Sequence, residues 1–296
     1  MSIGQLNSKK IAPYIFLLPF FASLIIFYIY PVINTIILSF QNVVPGESSF
    51  IGMTNYRNMF TPDFFQALSV TFRYTVYTIL ILIPGPLVLS VLLNSGSRKW
   101  NTVFRAMFFL PSLVSVVVAG TVFRLIFASS GKAVINAFLN MLFGIKPINW
   151  LLGGPMHAMF LMVAIAVWRW TGVNIIYFMS GLQQIPGELY EAADIDGFGS
   201  LTKFMYITLP LLKPTTIFVT VISIFGGFAM FEESYIFWSG QSPNNVGLTM
   251  VGLIYKKGFQ TGNIGMASAI GIVLIIIVLF VSLLALRLFG FFKKEE

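Results

Sequence analysis

The chain has 296 residues, of which 57% are hydrophobic and 9% charged, with a net charge of +8 and no cysteine. Soluble domains carry about 25% charged residues, so a water-covered surface is excluded, and the lack of cysteine excludes disulfide frameworks, thiolate nucleophiles and iron-sulfur sites. The basic residues are scattered among apolar segments rather than gathered in a stripe, which argues against nucleic-acid binding and for a topological role beside a lipid bilayer.

Six apolar stretches are expected to span the membrane, at residues 11–40, 66–94, 101–128, 156–182, 214–238 and 264–291. At about 1.5 Å per residue each is long enough for a hydrocarbon core of roughly 30 Å. The expected fold is an all-α integral membrane domain covering residues 1–296. Behind Lys9 and Lys10, the first stretch is too long for a signal-peptide core and reads as an uncleaved membrane helix. Pro19 and Pro31 fall inside it, and Ile83-Pro84-Gly85-Pro86 interrupts the second; both helices are expected to kink or break. Segments near 41–65, 129–155 and 239–263 are rich in Gly, Asn, Pro and Ser, as surface loops are. A cytoplasmic N-terminus puts Lys9, Lys10, Arg98, Lys99, Arg105, Lys203, Lys213, Arg287, Lys293 and Lys294 inside. Only Arg57, Lys132, Lys146, Lys256 and Lys257 then lie outside, so both termini are expected in the cytoplasm.

The inside connection 183–213 is different, because Glu188, Glu191, Asp194 and Asp196 are four of the ten acidic residues of the chain. Acidic residues contribute little to membrane orientation, so this clustering suggests a partner surface. Pro186 suits a first helical turn and Gly197 a left-handed C-terminal cap. Ser200 is placed to cap a second helix with Leu201, Phe204 and Met205 on one apolar face, ended by Leu209-Pro210. The expected product is a helix-Gly-helix elbow lying along the membrane.

The run EAADIDGFGSLTKFMYITLP resembles the EAA loop of bacterial importer permeases. Glu191, Ala192, Ala193, Asp196, Gly197, Ile207, Leu209 and Pro210 match its pattern; Phe198 departs from it, standing where that family usually has alanine. FIGMTNYRNMF, FFLPSLVS and GMASAIGIVL extend the resemblance along the chain, to the maltose-permease-like branch of sugar importers. FEESYIFW and NVGLTMVGLIY further resemble permeases for plant-derived oligosaccharides, the arabino-oligosaccharide type in particular.

The resemblance implies a type I ABC importer permease in a bacterial plasma membrane, paired with a second homologous permease, two ATPase subunits, an extracytoplasmic solute-binding protein and an oligosaccharide substrate. It implies no cofactor in this chain, ATP and Mg being bound by the partner ATPase, and no enzymatic activity of its own. In that family the loop docks in a cleft of the ATPase. Ala192 and Ala193 would permit close backbone approach there, Gly197 the elbow, and Glu191 an ion pair with a basic group. By themselves these residues also fit an amphipathic interfacial linker. The phosphate-binding pattern GxxxxGK followed by Ser or Thr does not occur; Ser130-Gly131-Lys132 comes nearest, with Ile126 where the first glycine belongs.

Ionisable groups within spans cost roughly 2.5–3.5 kcal/mol at the bilayer centre and count as functional candidates. They are Arg73, Arg124, Arg169, Glu232 and Glu233. Arg169 falls near the midplane within WRWTGVN, where aromatic faces can stack on sugars while guanidinium and amide groups bind hydroxyls. Arg169, Trp170 and Asn174 are the first substrate-path candidates, followed by Ser112, Ser115 and Ser223; an ion pair or helix-helix hydrogen bond is the structural alternative. Glu232 and Glu233 either accept bonds from sugar hydroxyls or pair with Arg124 or Arg169. His157, the single histidine, reads as structural. Two other function classes stay open. An intramembrane enzyme acting on lipid or glycan needs a paired-acid or histidine constellation, and a passive channel or scaffold leaves the elbow without a purpose.

Overall fold

The computed structural model describes residues 3–44, 47–95 and 98–291, with the backbone alone for 3–11, 44, 95, 98 and 99. Of the residues used above to orient the chain, Lys293 and Lys294 lie outside the described residues, as do the side chains of Lys9, Lys10, Arg98 and Lys99.

Among the described residues, four helical segments are long and apolar enough to cross a bilayer: Ala12–Ser39, Pro62–Asn94, Pro155–Leu182 and Ile264–Leu288. Counting each of two bent helix pairs as one span brings the number to six. The first segment comprises α1 (Ile3–Leu24), a π turn (Ile25–Ile29) and α2 (Tyr30–Ser39). Pro31 does not break it; the distortion it causes takes the form of the π turn. A proline lacks the N–H for the carbonyl four residues back and its ring crowds that carbonyl; here that carbonyl belongs to Phe27, inside the widened turn, whose bond runs from the Tyr30 N–H to the Ile25 carbonyl. After α2 come two antiparallel strands, β1 (Gln41–Val44) and β2 (Glu47–Phe50), registered Gln41 to Phe50. This short hairpin is the one sheet among the described residues, and the fold is otherwise helical as expected. The Asn55 side chain, on α3 (Thr54–Asn58), donates to the carbonyls of Ser39 and Gln41 at 2.9 Å each and ties this corner together.

The second span runs as α4 (Pro62–Leu82) and α5 (Pro84–Ser95), interrupted only at Ile83. The third expected span is two helices, α6 (Arg98–Leu113) and α7 (Val116–Ile126), bent by 98°. Pro111 withdraws a helical donor near the end of α6, and Ser115 takes an extended conformation, φ −54° and ψ 138°. Beyond lies α8 (Val134–Phe143), then α9 (Pro155–Leu182), uninterrupted over 28 residues.

The fifth expected span is shorter than the sequence suggests. Helix α13 (Lys213–Phe228) ends before residues 229–231, which are non-helical, and a separate α14 (Glu232–Phe237) follows. Such unwound backbone at membrane depth is tolerated where protein or a cavity surrounds it. After α15 (Met250–Tyr255) the chain closes with α16 (Ile264–Leu288).

Two compact units emerge, Met1–Thr61 with Ile254–Val273, and Pro62–Leu253 with Leu274–Glu296. In the second, α9 is the central element, with 56% of its most apolar stretch buried; α4, α5, α6 and α13 pack against it, and α14 against α7. Gly172 lets α9 approach α6 backbone to backbone, because a Cβ there would run into the Phe108 carbonyl. Buried Leu161 and Ile165 pack with Ala119, Phe123 and Phe237, while Met162 and Ala166 pack with Val70, Tyr74 and Met230. Both clusters lie on α9, which therefore fixes the elements carrying the polar groups described next.

Candidate functional site

A cavity of about 560 Å³ opens within the second unit. Tyr74, Thr78 and Leu82 of α4 line one side, Ala166, Arg169, Trp170 and Asn174 of α9 another, and Ser223, Gly226 and Gly227 of α13 a third. The unwound residues after α13 and the first turn of α14 complete the wall with Met230, Phe231, Glu232 and Glu233. Six of the eight expected substrate-path residues therefore share one cavity: Arg169, Trp170, Asn174, Ser223, Glu232 and Glu233. Ser112 and Ser115 are not among the lining residues; the Ser112 hydroxyl donates to the Phe109 carbonyl at 2.7 Å, and Ser115 precedes α7.

Arg169 Nη1 donates to Glu233 Oε1 at 2.9 Å, both side chains about nine-tenths buried. Of the two pairings open in the sequence, the structure has this one; Arg124 instead donates to the Ser239 hydroxyl. Removing either member of such a pair strands a charge where water cannot solvate it. The Arg169 guanidinium also lies 5.5 Å from the Trp170 ring centre, within cation-π range. Its Nε has no hydrogen-bond partner among the described residues. Glu232, adjacent in sequence, points elsewhere: it is exposed and forms no ion pair among the described residues.

Asn174 has a second task that its place in the cavity hides. Its Nδ2 donates to the Leu82 carbonyl at 2.8 Å. In a regular helix that carbonyl would accept from residue 86, but residue 86 is proline and has no N–H. A helix break in one span is thus satisfied by a side chain from another. Tyr74 and Thr78 were invisible as site residues in the sequence, since each occupies an ordinary helical position and only the packing of α4 on α9 brings them to the wall. His157 packs edge-on to Trp150, 5.7 Å between ring centres.

The elbow is built by α10 (Gly187–Ile195), α11 (Ser200–Lys203), a π turn (Phe204–Thr208) and α12 (Leu209–Leu211). Gly197 has φ +76°; the Phe198 N–H reaches the Ala193 carbonyl at 2.8 Å and the Gly197 N–H the Asp194 carbonyl at 3.1 Å. These two bonds form a Schellman cap, which needs a left-handed residue at the Gly197 position. Pro186 stands one residue earlier than expected, as the N-cap, and Gly199 rather than Ser200 precedes α11. Ser200 lies inside the first turn, where its hydroxyl makes no cap. Leu209-Pro210 closes the helix as expected to within one residue, at Leu211, and the chain bends by 65° into α13; like Pro31, Pro210 follows a π turn, with the crowded carbonyl inside the widened turn. Leu201 and Met205 are exposed, while Phe204 packs against the cluster of Leu87, Phe178, Leu182 and Leu212.

Within the elbow Lys203 pairs with Asp194 at 2.6 Å, and the hydroxyls of Tyr190 and Thr208 meet at 2.9 Å. Ala193 is buried and Ile207 half-buried, whereas Glu191, Ala192, Asp196, Gly197, Leu209 and Pro210 are exposed. The eight residues of the motif thus sit in one compact feature with an inner face held to the core and an outer face free for contact.

Residues 86–294 match the family model of the binding-protein-dependent transport system inner membrane component. The chain is 50% identical over 288 residues, 97% of its length and 91% of the relative's, to the arabinooligosaccharides transport system permease protein AraP of Bacillus subtilis. It is 35% identical to the lactose transport system permease protein LacF of Rhizobium radiobacter, covering 83% of each chain. A solved bacterial ABC transporter that imports the acidic polysaccharide alginate has a chain of the same fold, with TM-score 0.85 and 22% identity over 99% of this chain and 100% of that one. These matches lend no support to an intramembrane enzyme. The chain, with its multiple apolar spans, belongs to the family of binding-protein-dependent transport system inner membrane components, the permease subunits of ABC importers.

Proposed function

We propose that this chain is one permease subunit of an ATP-driven importer that moves an oligosaccharide into the cytoplasm by alternating access. The supporting observation is the presence in one chain of a cavity walled by Arg169, Trp170 and Glu232, and of an elbow whose exposed Glu191 and Ala192 stand on a feature packed into the same helices. Trp170 offers a ring face to a sugar, and the ionised groups offer partners for hydroxyls. Asn174 and Ser223 belong to the same wall; Ser112 and Ser115 take part when the walls rearrange.

In this reading the whole chain is one permease domain, both termini are cytoplasmic, and residues 183–213 form the surface that meets an ATPase. Glu191 anchors it and the Gly197 cap sets its angle. ATP and Mg are held by two ATPase subunits. A second permease completes the membrane pathway, and an extracytoplasmic binding protein delivers the sugar. The relatives named for arabinooligosaccharides point to a substrate of that class.

The test is reconstitution of the assembled complex, followed by ATP hydrolysis with and without arabino-oligosaccharide and its binding protein. Stimulation by the loaded binding protein is expected. An intact complex stimulated by no neutral oligosaccharide would overturn the substrate, and a chain that recruits no ATPase would overturn the importer.

A further inference from the structure

The ionised groups on the cavity wall are Arg169, Glu232 and Glu233. Arg169 and Glu233 neutralise each other at 2.9 Å, while Glu232 is exposed and outside any ion pair among the described residues. Among the described residues of this chain, the wall therefore carries one uncompensated negative charge and no free cation. Its remaining surface is aromatic, aliphatic or neutral polar, from residues such as Trp170, Phe231, Tyr74 and Thr78. Glu232 is open to solvent, so its field is partly screened, but the apolar walls around it still focus that field on a charge passing through the cavity.

We propose that Glu232 is a charge filter: the cavity admits uncharged oligosaccharides and rejects those bearing carboxylates, such as uronic-acid-substituted chains. This rests on the reading that the cavity lies on the substrate path. The shared fold does not set the charge class, since a solved importer with this fold takes up an acidic polysaccharide; selection by charge must reside in side chains. Placing like charges together opposes an unwanted ligand without adding any contact to the wanted one. The buried ion pair is part of the device, because an unpaired Arg169 would supply the cation that an acidic sugar needs.

The chain contains no cysteine, so Ser223→Cys introduces one thiol into the cavity wall. In the assembled transporter, this thiol is labelled with methanethiosulfonates that are neutral, anionic or cationic, and labelling is read on this chain by mass. The cationic reagent should react faster than the anionic one, and adding Glu232→Gln should shrink that ratio by about tenfold or more. High salt should shrink it in the parent and have little effect in the Glu232→Gln background. A ratio that Glu232→Gln leaves unchanged overturns the filter, as does a thiol that no reagent reaches.

The transport reading is scored separately on the same protein, by sugar uptake after neutral labelling. Loss of uptake with an unchanged charge ratio removes the filter and keeps the path. Full uptake with a bulky label in the cavity removes the path itself, and with it the filter. A final arm compares uptake of a neutral oligosaccharide with its glucuronic-acid-substituted counterpart, using one binding protein throughout. Glu232→Gln should narrow the preference for the neutral sugar, and an unchanged preference counts against the filter.

Discussion

Asn174 Nδ2 donates to the Leu82 carbonyl at 2.8 Å, supplying the hydrogen bond that Pro86 cannot. The α4–α5 span is thereby interrupted without leaving a bare carbonyl in the bilayer. Asn174→Ala should cost about 1–3 kcal/mol, the usual penalty for orphaning a buried polar group, read as lowered thermal stability in detergent. Asn174→Asp should be worse, because a carboxylate would face the carbonyl. In a Pro86→Ala background the backbone regains its donor and the cost of Asn174→Ala should fall. Equal costs in the two backgrounds would show that Asn174 does not serve this carbonyl.

The Arg169–Glu233 pair joins α9 to α14 across the unwound residues that follow α13. Arg169→Ala or Glu233→Ala should destabilise by about 3–5 kcal/mol, since each strands a buried charge. Arg169→Met combined with Glu233→Leu should recover most of that loss. Additive losses in the double variant, measured by a double-mutant cycle, would mean that the two groups act independently. Sugar preference separates the further role: a stable Arg169 and Glu233 double replacement with an unchanged ranking of transported sugars would leave the pair structural.

Composition made the long spans legible, α9 and α16 above all, because hydropathy needs only an unbroken apolar run of sufficient length. The elbow was legible for another reason: Gly197 and the EAA residues are local signals, and a Schellman cap depends on little beyond six consecutive residues. What stayed hidden was backbone direction. Apolar residues continue through the 98° bend between α6 and α7 and through residues 229–231, so hydropathy registers one span where the chain makes two helices. Pro31 shows the opposite case: the helix runs on through it, because a π turn takes up the crowded carbonyl. Asn174 was picked out as polar within a span, but its partner lies 92 positions away, and no local pattern connects them.

Gly172 and Gly226 give opposite expectations for one substitution. A Cβ on Gly172 would collide with the Phe108 carbonyl, and backbone cannot yield as a side chain can, so α6 and α9 must separate. Gly172→Ala should cost about 1–3 kcal/mol or more, as overpacking does. At Gly226, inside α13, a Cβ meets nothing within 4 Å, and Gly226→Ala should be neutral or stabilising by about 0.4–1 kcal/mol. Thermal unfolding of both variants in one detergent checks the contrast; equal effects would place the α6–α9 contact elsewhere.

Glu191 and Gly197 occupy the same elbow but should fail differently. Glu191 is exposed and forms no ion pair among the described residues, so Glu191→Lys should change stability by less than about 0.5 kcal/mol. If it pairs with a cation on the ATPase, the reversal puts like charges together, and sugar-stimulated ATP hydrolysis should fall by roughly tenfold or more. Assembly should persist through Ala192 and the rest of the outer face. Gly197→Ala meets no steric obstacle but forces an L-residue to φ +76°, which costs about 1–2 kcal/mol and should loosen the elbow itself; Gly197→Asn should be milder, since asparagine tolerates that conformation. Glu191→Lys is thus expected to uncouple a stable complex, and Gly197→Ala to weaken protection of the α10 amides from hydrogen exchange. Normal stimulation in an assembled Glu191→Lys complex would move the anchor to another residue of the loop.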